Sequence, residues 1–110
     1  MDRSEPEVRV ALITAPDQEA GNRIARALVE ERLVACVNVV SGVRSVYRWE
    51  GSVQEDAEVL LVVKTRADRA GDLVDRVVEL HPYELPEVLL VPAVGGNPPY
   101  LDWVREEAAP

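Results

Sequence analysis

The sequence lacks phenylalanine altogether, and only 5% of its 110 residues are aromatic. Valine is abundant instead, and stiff β-branched side chains pack well on a pleated sheet. There is a single cysteine, Cys36, which excludes an intramolecular disulfide and fits a reducing compartment. We therefore expect a sheet-rich interior without a disulfide framework, in a cytoplasmic protein.

Basic residues are also scarce. The chain has 12 Lys and Arg against 20 Asp and Glu, so its net charge is −8. Binding to nucleic acid or to an anionic membrane surface requires clustered positive charge, so neither partner is expected. No stretch approaches the roughly 20 apolar residues of a membrane span. What remains is the composition of a soluble globular protein, which we predict to be one domain over residues 1–110 with a polar tail at 1–7.

The hydrophobic pattern alternates between strand and helix periodicity. The resulting order is β-α-β-β-α-β with a terminal helix, which is the ferredoxin-like order. It predicts an α+β sandwich in which both central helices lie on one face of an antiparallel sheet. The predicted strands are 8–13, 36–49, 58–65 and 88–91, and the predicted helices are 17–32, 67–80 and 100–107.

The second predicted strand is longer than a domain of this size can contain. Fully extended, residues 36–49 would span about 45 Å at about 3.3 Å per residue. A compact chain of this length has a diameter of only about 34 Å. Either Gly42 bends the strand sharply, or its far half leaves the domain and pairs with another subunit. An unpaired edge of Val, Tyr and Trp is a liability in a monomer, so we expect a homo-oligomer.

Six short motifs, spread from Val10 to Val104, occur together in one order. In that order they resemble the CutA family of divalent-cation-tolerance proteins. The motifs are Thr14-Ala15-Pro16-Asp17, Ala35-Cys36-Val37-Asn38-Val39, Ser45-Val46-Tyr47-Arg48-Trp49-Glu50-Gly51, Lys64-Thr65, His81-Pro82-Tyr83-Glu84-Leu85-Pro86-Glu87 and Asn97-Pro98-Pro99-Tyr100-Leu101-Asp102-Trp103.

The resemblance implies a ferredoxin-like subunit in a tightly packed homotrimer, with long strands exchanged across subunit boundaries. It also implies a link to tolerance of copper and other divalent metals in bacteria, and a shape like that of the trimeric PII signalling proteins. It implies no defined enzymatic activity.

His81, the only histidine, is the first metal-ligand candidate, with Glu84 and Glu87 downstream. Imidazole with carboxylate suits Cu²⁺ or Zn²⁺. The resemblance implies a copper site built from His81, Glu87 and a first-loop cysteine, but Ile13 stands at the cysteine position and cannot ligate a metal. The alternative role for His81 is a cation at the end of a helix, which contributes about 0.3–1 kcal/mol. No metal or other cofactor is expected to be obligatory.

Other chemistry-bearing residues also have two interpretations. Cys36 is either a small buried hydrophobe or a reactive thiolate. Lys64 ends an apolar strand and either pairs with Glu50 or Glu84 or, with Arg48, offers charge to an anionic ligand. The aromatic residues either pack a subunit boundary or line a cleft there. These aromatic residues are Tyr47, Trp49, Tyr83, Tyr100 and Trp103.

No motif in the sequence points to catalysis. There is no phosphate-binding glycine loop, nucleophile elbow or zinc-type Cys/His cluster. We therefore predict a non-enzymatic, divalent-cation-tolerance homotrimer that binds copper or another divalent metal. The alternative is a PII-like regulatory scaffold that binds a small ligand or a partner protein in clefts between subunits.

Overall fold

A computed structural model describes residues 5–110 and places four antiparallel strands in one sheet, in the order β2-β3-β1-β4. This confirms the predicted ferredoxin-like α+β fold. Residues 1–4 of the predicted tail lie outside the described part. The strands are β1 (Val8–Ala15), β2 (Cys36–Trp49), β3 (Ser52–Arg66) and β4 (Val88–Pro92), and the helices are α1 (Gln18–Glu30), α2 (Ala70–Leu80) and α3 (Pro98–Glu107).

Two predicted boundaries were wrong. Strand β3 begins at Ser52, six residues before the predicted start, because the polar residues 52–57 pair with β2 across a tight turn. Helix α2 begins at Ala70 rather than Ala67, and a short 3₁₀ turn, Ala67–Arg69, precedes it. Arg69 provides no side-chain cap for α2. No helix among residues 5–110 is long and apolar enough to cross a membrane.

Helices α1 and α2 cover one face of the sheet. Asp17 starts α1 by accepting a 2.8 Å hydrogen bond from the Ala20 backbone N–H. Gly21 then lies so close to the sheet that a Cβ there would sit 2.7 Å from Val59 Cγ2. The glycine therefore permits close helix–sheet packing. The buried core between helices and sheet contains Ala11, Ile13, Ile24, Leu28, Leu61, Val63, Leu73 and Val77.

The other face of the sheet is mostly uncovered. Helix α3 packs there only at one end, where Val104 contacts the cluster of Val8 and Ala35. Because side chains alternate along a strand, the residues between those of the core point to this second face. We call this apolar surface the open face. It consists of Val10, Leu12, Val40, Leu60, Val62, Leu89 and Val91, none of which is fully buried.

Strands β2 and β3 continue past the body of the domain as a two-stranded hairpin. The molecule measures 48 × 25 × 23 Å, and its radius of gyration is 14.7 Å against about 13 Å for a compact domain of this length. The strand register shifts between Val40 and Val43, where Gly42 has φ +79°. Gly42 thus forms a bulge without ending β2. We call residues 43–57 the outer hairpin.

Candidate metal and ligand sites

His81 caps the C-terminal end of α2 and is only 7% exposed. Its Nε2 lies 2.6 Å from the Thr14 carbonyl oxygen, and its Nδ1 accepts a 3.1 Å hydrogen bond from the Tyr83 backbone N–H. A carbonyl accepts and an N–H donates, so this arrangement requires a neutral imidazole protonated at Nε2. Both ring nitrogens are occupied. The interpretation of His81 as a helix-end cation does not fit these contacts.

Glu84 and Glu87 lie on the exposed segment between α2 and β4. Neither forms a hydrogen bond with His81, and Ile13 is buried in the core. Within the described part of the chain, no group of three or more His, Cys, Asp or Glu side chains is placed to hold a metal ion.

Two carboxylates on β3 meet two tyrosine hydroxyls, a grouping that we call the carboxylate–tyrosine cluster. The Tyr83 hydroxyl donates a 2.8 Å hydrogen bond to Glu58, which is only 9% exposed, and the Tyr47 hydroxyl donates to Asp56. Sequence reasoning did not identify Asp56 or Glu58. The two carboxylates lie two residues apart on β3 and so on one face of the sheet, but Asp56 falls outside the predicted strand 58–65, so this spacing was not recognisable from the sequence.

A second grouping, which we call the Lys64 cluster, lies where α3 meets the open face. Cys36 pairs directly with Lys64 across β2 and β3, and its Sγ lies 3.5 Å from the Tyr100 hydroxyl. The rings of Tyr100 and Trp103 are 5.6 Å apart. Lys64 donates to the Asn38 side chain instead of pairing with Glu50 or Glu84. Cys36 is half-buried.

The predicted cleft residues thus divide among three places in one subunit. Tyr47 and Tyr83 join the carboxylate–tyrosine cluster, whereas Cys36, Lys64, Tyr100 and Trp103 form the other cluster. Trp49 lies apart from both groups, beside the turn of the outer hairpin.

All three tyrosines of the chain are held in the protonated form. The hydrogen bond to Asp56 raises the pKa of Tyr47; burial, followed by the bond to Glu58, raises the pKa of Tyr83. The hydrogen bond with Cys36 raises the pKa of Tyr100 to about 12. Raised pKa values contribute stability that is complete below pH 10 and is lost as the pH rises further.

Alkaline titration should therefore show no tyrosine ionising at its ordinary pKa near 10 in the native protein. The absorbance of tyrosinate near 295 nm, followed together with circular dichroism, measures this. Tyr100→Phe should remove the step near pH 12, whereas Tyr47→Phe should leave that step in place. A full tyrosine step at pH 10 in folded protein would contradict the hydrogen bonds described.

Comparison with known proteins gives one consistent result. The family described as CutA1 divalent ion tolerance protein matches residues 9–107. The divalent-cation tolerance protein CutA of Thermus thermophilus is 55% identical over 97 residues, which cover 88% of this chain and 94% of that protein. A solved structure of the Thermus thermophilus divalent cation tolerance protein superposes with a TM-score of 0.89 at 53% identity, over 91% of this chain and 97% of that one. The human protein CutA is 46% identical over 90% of this chain, which spans 55% of the human protein.

Proposed function

This chain belongs to the CutA1 family of divalent ion tolerance proteins, and we propose from this premise that it acts as a homotrimer that binds divalent cations at sites shared between subunits. The observation that carries the proposal is the open face, an apolar surface on the side of the sheet away from α1 and α2. Such a surface on a small domain is typical of a subunit interface. No metal is an obligatory cofactor; the metal is cargo.

Three features of the chain support a closed ring of subunits. Strands β2 and β4 form the two edges of the sheet, so each subunit offers two different edges for pairing. Contacts between unlike surfaces generate a ring when the rotation closes. The outer hairpin leaves the body of the domain and has too little cover to be stable alone. A homotrimer with exchanged hairpins covers the open face, the edges and the outer hairpin together.

The absence of a three-ligand group within residues 5–110 supports metal sites made from more than one subunit. Glu84 and Glu87 are exposed and available as ligands. His81 has a different role in this proposal: its contacts with Thr14 and Tyr83 hold the segment that carries the two glutamates. Direct ligation by His81 Nδ1 would require the Tyr83 N–H to leave it. Cu²⁺ or Zn²⁺ would favour that displacement, because imidazole with carboxylate suits these two cations, whereas carboxylate oxygens alone suit Mn²⁺, Mg²⁺ or Ca²⁺.

Equilibrium dialysis of the purified protein against Cu²⁺ and against Zn²⁺ tests metal binding. We expect saturable binding with a whole-number stoichiometry per trimer. The double variant Glu84→Gln/Glu87→Gln should weaken binding by about tenfold or more. Glu79→Gln, an exposed glutamate on α2, is the matched control and should bind as the parent does. Equal binding by the parent and the double variant would remove the two glutamates from the site.

A second candidate function is favoured by the Lys64 cluster. In that role the trimer is a PII-like regulatory scaffold, and a small ligand or a partner protein occupies the clefts between subunits. The supporting observation is that Cys36, the cross-strand partner of Lys64, contacts the Tyr100 hydroxyl, and that the Tyr100 ring lies next to the Trp103 ring. For both functions we propose a cytoplasmic location, supported by the unpaired thiol of Cys36.

A further inference from the structure

Lys64 is the only lysine of the chain, and its side chain lies on the same side of the sheet as the open face. Val10 is its partner on β1 and Cys36 its partner on β2. It donates hydrogen bonds to the Asn38 side chain and, at 3.5 Å, to the Val62 carbonyl oxygen. Within the described part of the chain it forms no salt bridge. Among residues 5–110, the ammonium therefore has only the neutral acceptors of Asn38 and Val62 as partners.

Other cations nearby do have counter-charges. Arg66, two residues along β3 and so on the same face, forms a bidentate pair with Asp68 at 2.7 and 2.8 Å. Arg105 of α3 pairs with Asp102 at 3.0 Å. Near Lys64, the charges of the two arginines are thus neutralised by Asp68 and Asp102, whereas the ammonium of Lys64 has no carboxylate partner among residues 5–110. Lys64 is therefore the positive charge at this end of the open face that is available to an approaching anion.

When a neighbouring subunit covers the open face, burial of the Lys64 ammonium without a counter-charge costs free energy. A buried ammonium without a partner loses several kcal/mol of hydration. Glu58 is on the same face, but it lies six residues away along β3, about 20 Å, and it accepts the hydrogen bond from Tyr83. Among residues 5–110, no carboxylate forms a salt bridge with Lys64 on this face.

Helix α3 contributes two aromatic rings near Cys36, the cross-strand neighbour of Lys64. The Tyr100 hydroxyl reaches Cys36, the cross-strand neighbour of Lys64, and the Trp103 ring packs near the Tyr100 ring. Both rings are partly exposed. An aromatic surface next to a positive charge suits a flat organic anion, because the ring surface takes the planar body while the ammonium takes the charge.

We propose that Lys64, Tyr100 and Trp103 form a binding site for a small planar organic carboxylate. The site deepens the second candidate function, since it names the chemical class of the ligand, and it rests on that function. All three residues of this site belong to one subunit. A neighbouring subunit would enclose the bound ligand but supplies none of these three residues. The metal sites proposed above use different residues.

Fluorescence of Trp103 tests the site with benzoate as the probe and benzamide as its uncharged counterpart. The background variant Trp49→Phe leaves Trp103 as the only tryptophan. We expect benzoate to change the fluorescence saturably and benzamide to bind at least tenfold more weakly. Lys64→Met should weaken benzoate binding by tenfold or more, whereas Lys64→Arg should retain most of it. Calorimetric titration of the parent protein with benzoate repeats the measurement without any substitution.

Light scattering on the same samples separates this proposal from the others. Saturable benzoate binding that depends on Lys64 supports the site, whatever the result of the metal dialysis. No saturation by either method, or equal binding by the parent and Lys64→Met, would overturn it. Loss of the trimer in Lys64→Met, together with no benzoate binding by the parent, would also overturn it, because Lys64 would then be pairing with a partner's carboxylate.

Discussion

Replacing Leu89 with glutamate should convert the proposed homotrimer to monomers. Leu89 belongs to the open face on the edge strand β4 and is 55% exposed in the single subunit, so the variant chain can fold. In the trimer the new carboxylate would be buried without a partner. At about 3 kcal/mol per subunit, this weakens each interface more than a hundredfold. Light scattering at micromolar concentration measures the change.

Val78→Glu is the matched control. Val78 is 52% exposed, nearly the same as Leu89, but it lies on α2, away from the open face. This variant should keep the mass of the parent assembly. If Leu89→Glu remains trimeric while circular dichroism shows a folded chain, the open face is not the interface, and the proposed assembly fails.

The second large effect concerns the outer hairpin, residues 43–57. In the single subunit this segment has almost no cover, and an isolated two-stranded hairpin is marginal in water. Its amide hydrogens should therefore exchange in the Leu89→Glu monomer within about tenfold of the unfolded rate. In the trimer, pairing with a neighbour should slow the same amides by about a thousandfold or more. Hydrogen–deuterium exchange followed by mass spectrometry of peptides from this segment measures both.

Residues 59–65 of the same strand provide an internal reference. Val59, Leu61 and Val63 are packed under the helices in every state of assembly, so their amides should remain protected in trimer and monomer alike. Equal protection of residues 43–57 in the two forms would mean that the outer hairpin is stable by itself. The argument for exchange of hairpins between subunits, which is that an uncovered hairpin is only marginally stable, would then fail.

Most of the fold could be predicted from hydrophobic periodicity. The unbroken apolar run Val59–Val63 is typical of a strand that is central or covered on both faces, and β3 lies between β1 and β2. The polar residues 52–57 gave no such signal, since their strand conformation comes from cross-strand pairing with β2. The excess length of β2 was visible in the sequence, but whether Gly42 bends the strand was not. The structure shows a bulge after which the strand continues.

The candidate sites were harder to predict because their contacts join distant parts of the chain. His81 was identified as the sole histidine, but its tautomer follows from two contacts: the Thr14 carbonyl, 67 residues away, requires a proton on Nε2, and the Tyr83 N–H requires a bare Nδ1. One of the two interpretations of Lys64 paired it with Glu50 or Glu84, but its side chain donates to Asn38, on the adjacent strand. Glu58 became evident only when Tyr83 was placed beside it. Each of these contacts depends on strand register and loop position, which residue spacing alone does not determine.

The two edge strands of the sheet also affect what happens to a chain between its folding and its assembly. Until it meets its partners, each newly folded chain presents β2 and β4 with unpaired backbone groups, next to an uncovered apolar surface. Unpaired edges of this kind pair readily with any extended chain. The acidic surface, with its net charge of −8, slows encounters between chains without distinguishing right from wrong ones. Formation of the proposed homotrimer therefore depends on relative rates: the chains must associate correctly faster than they aggregate.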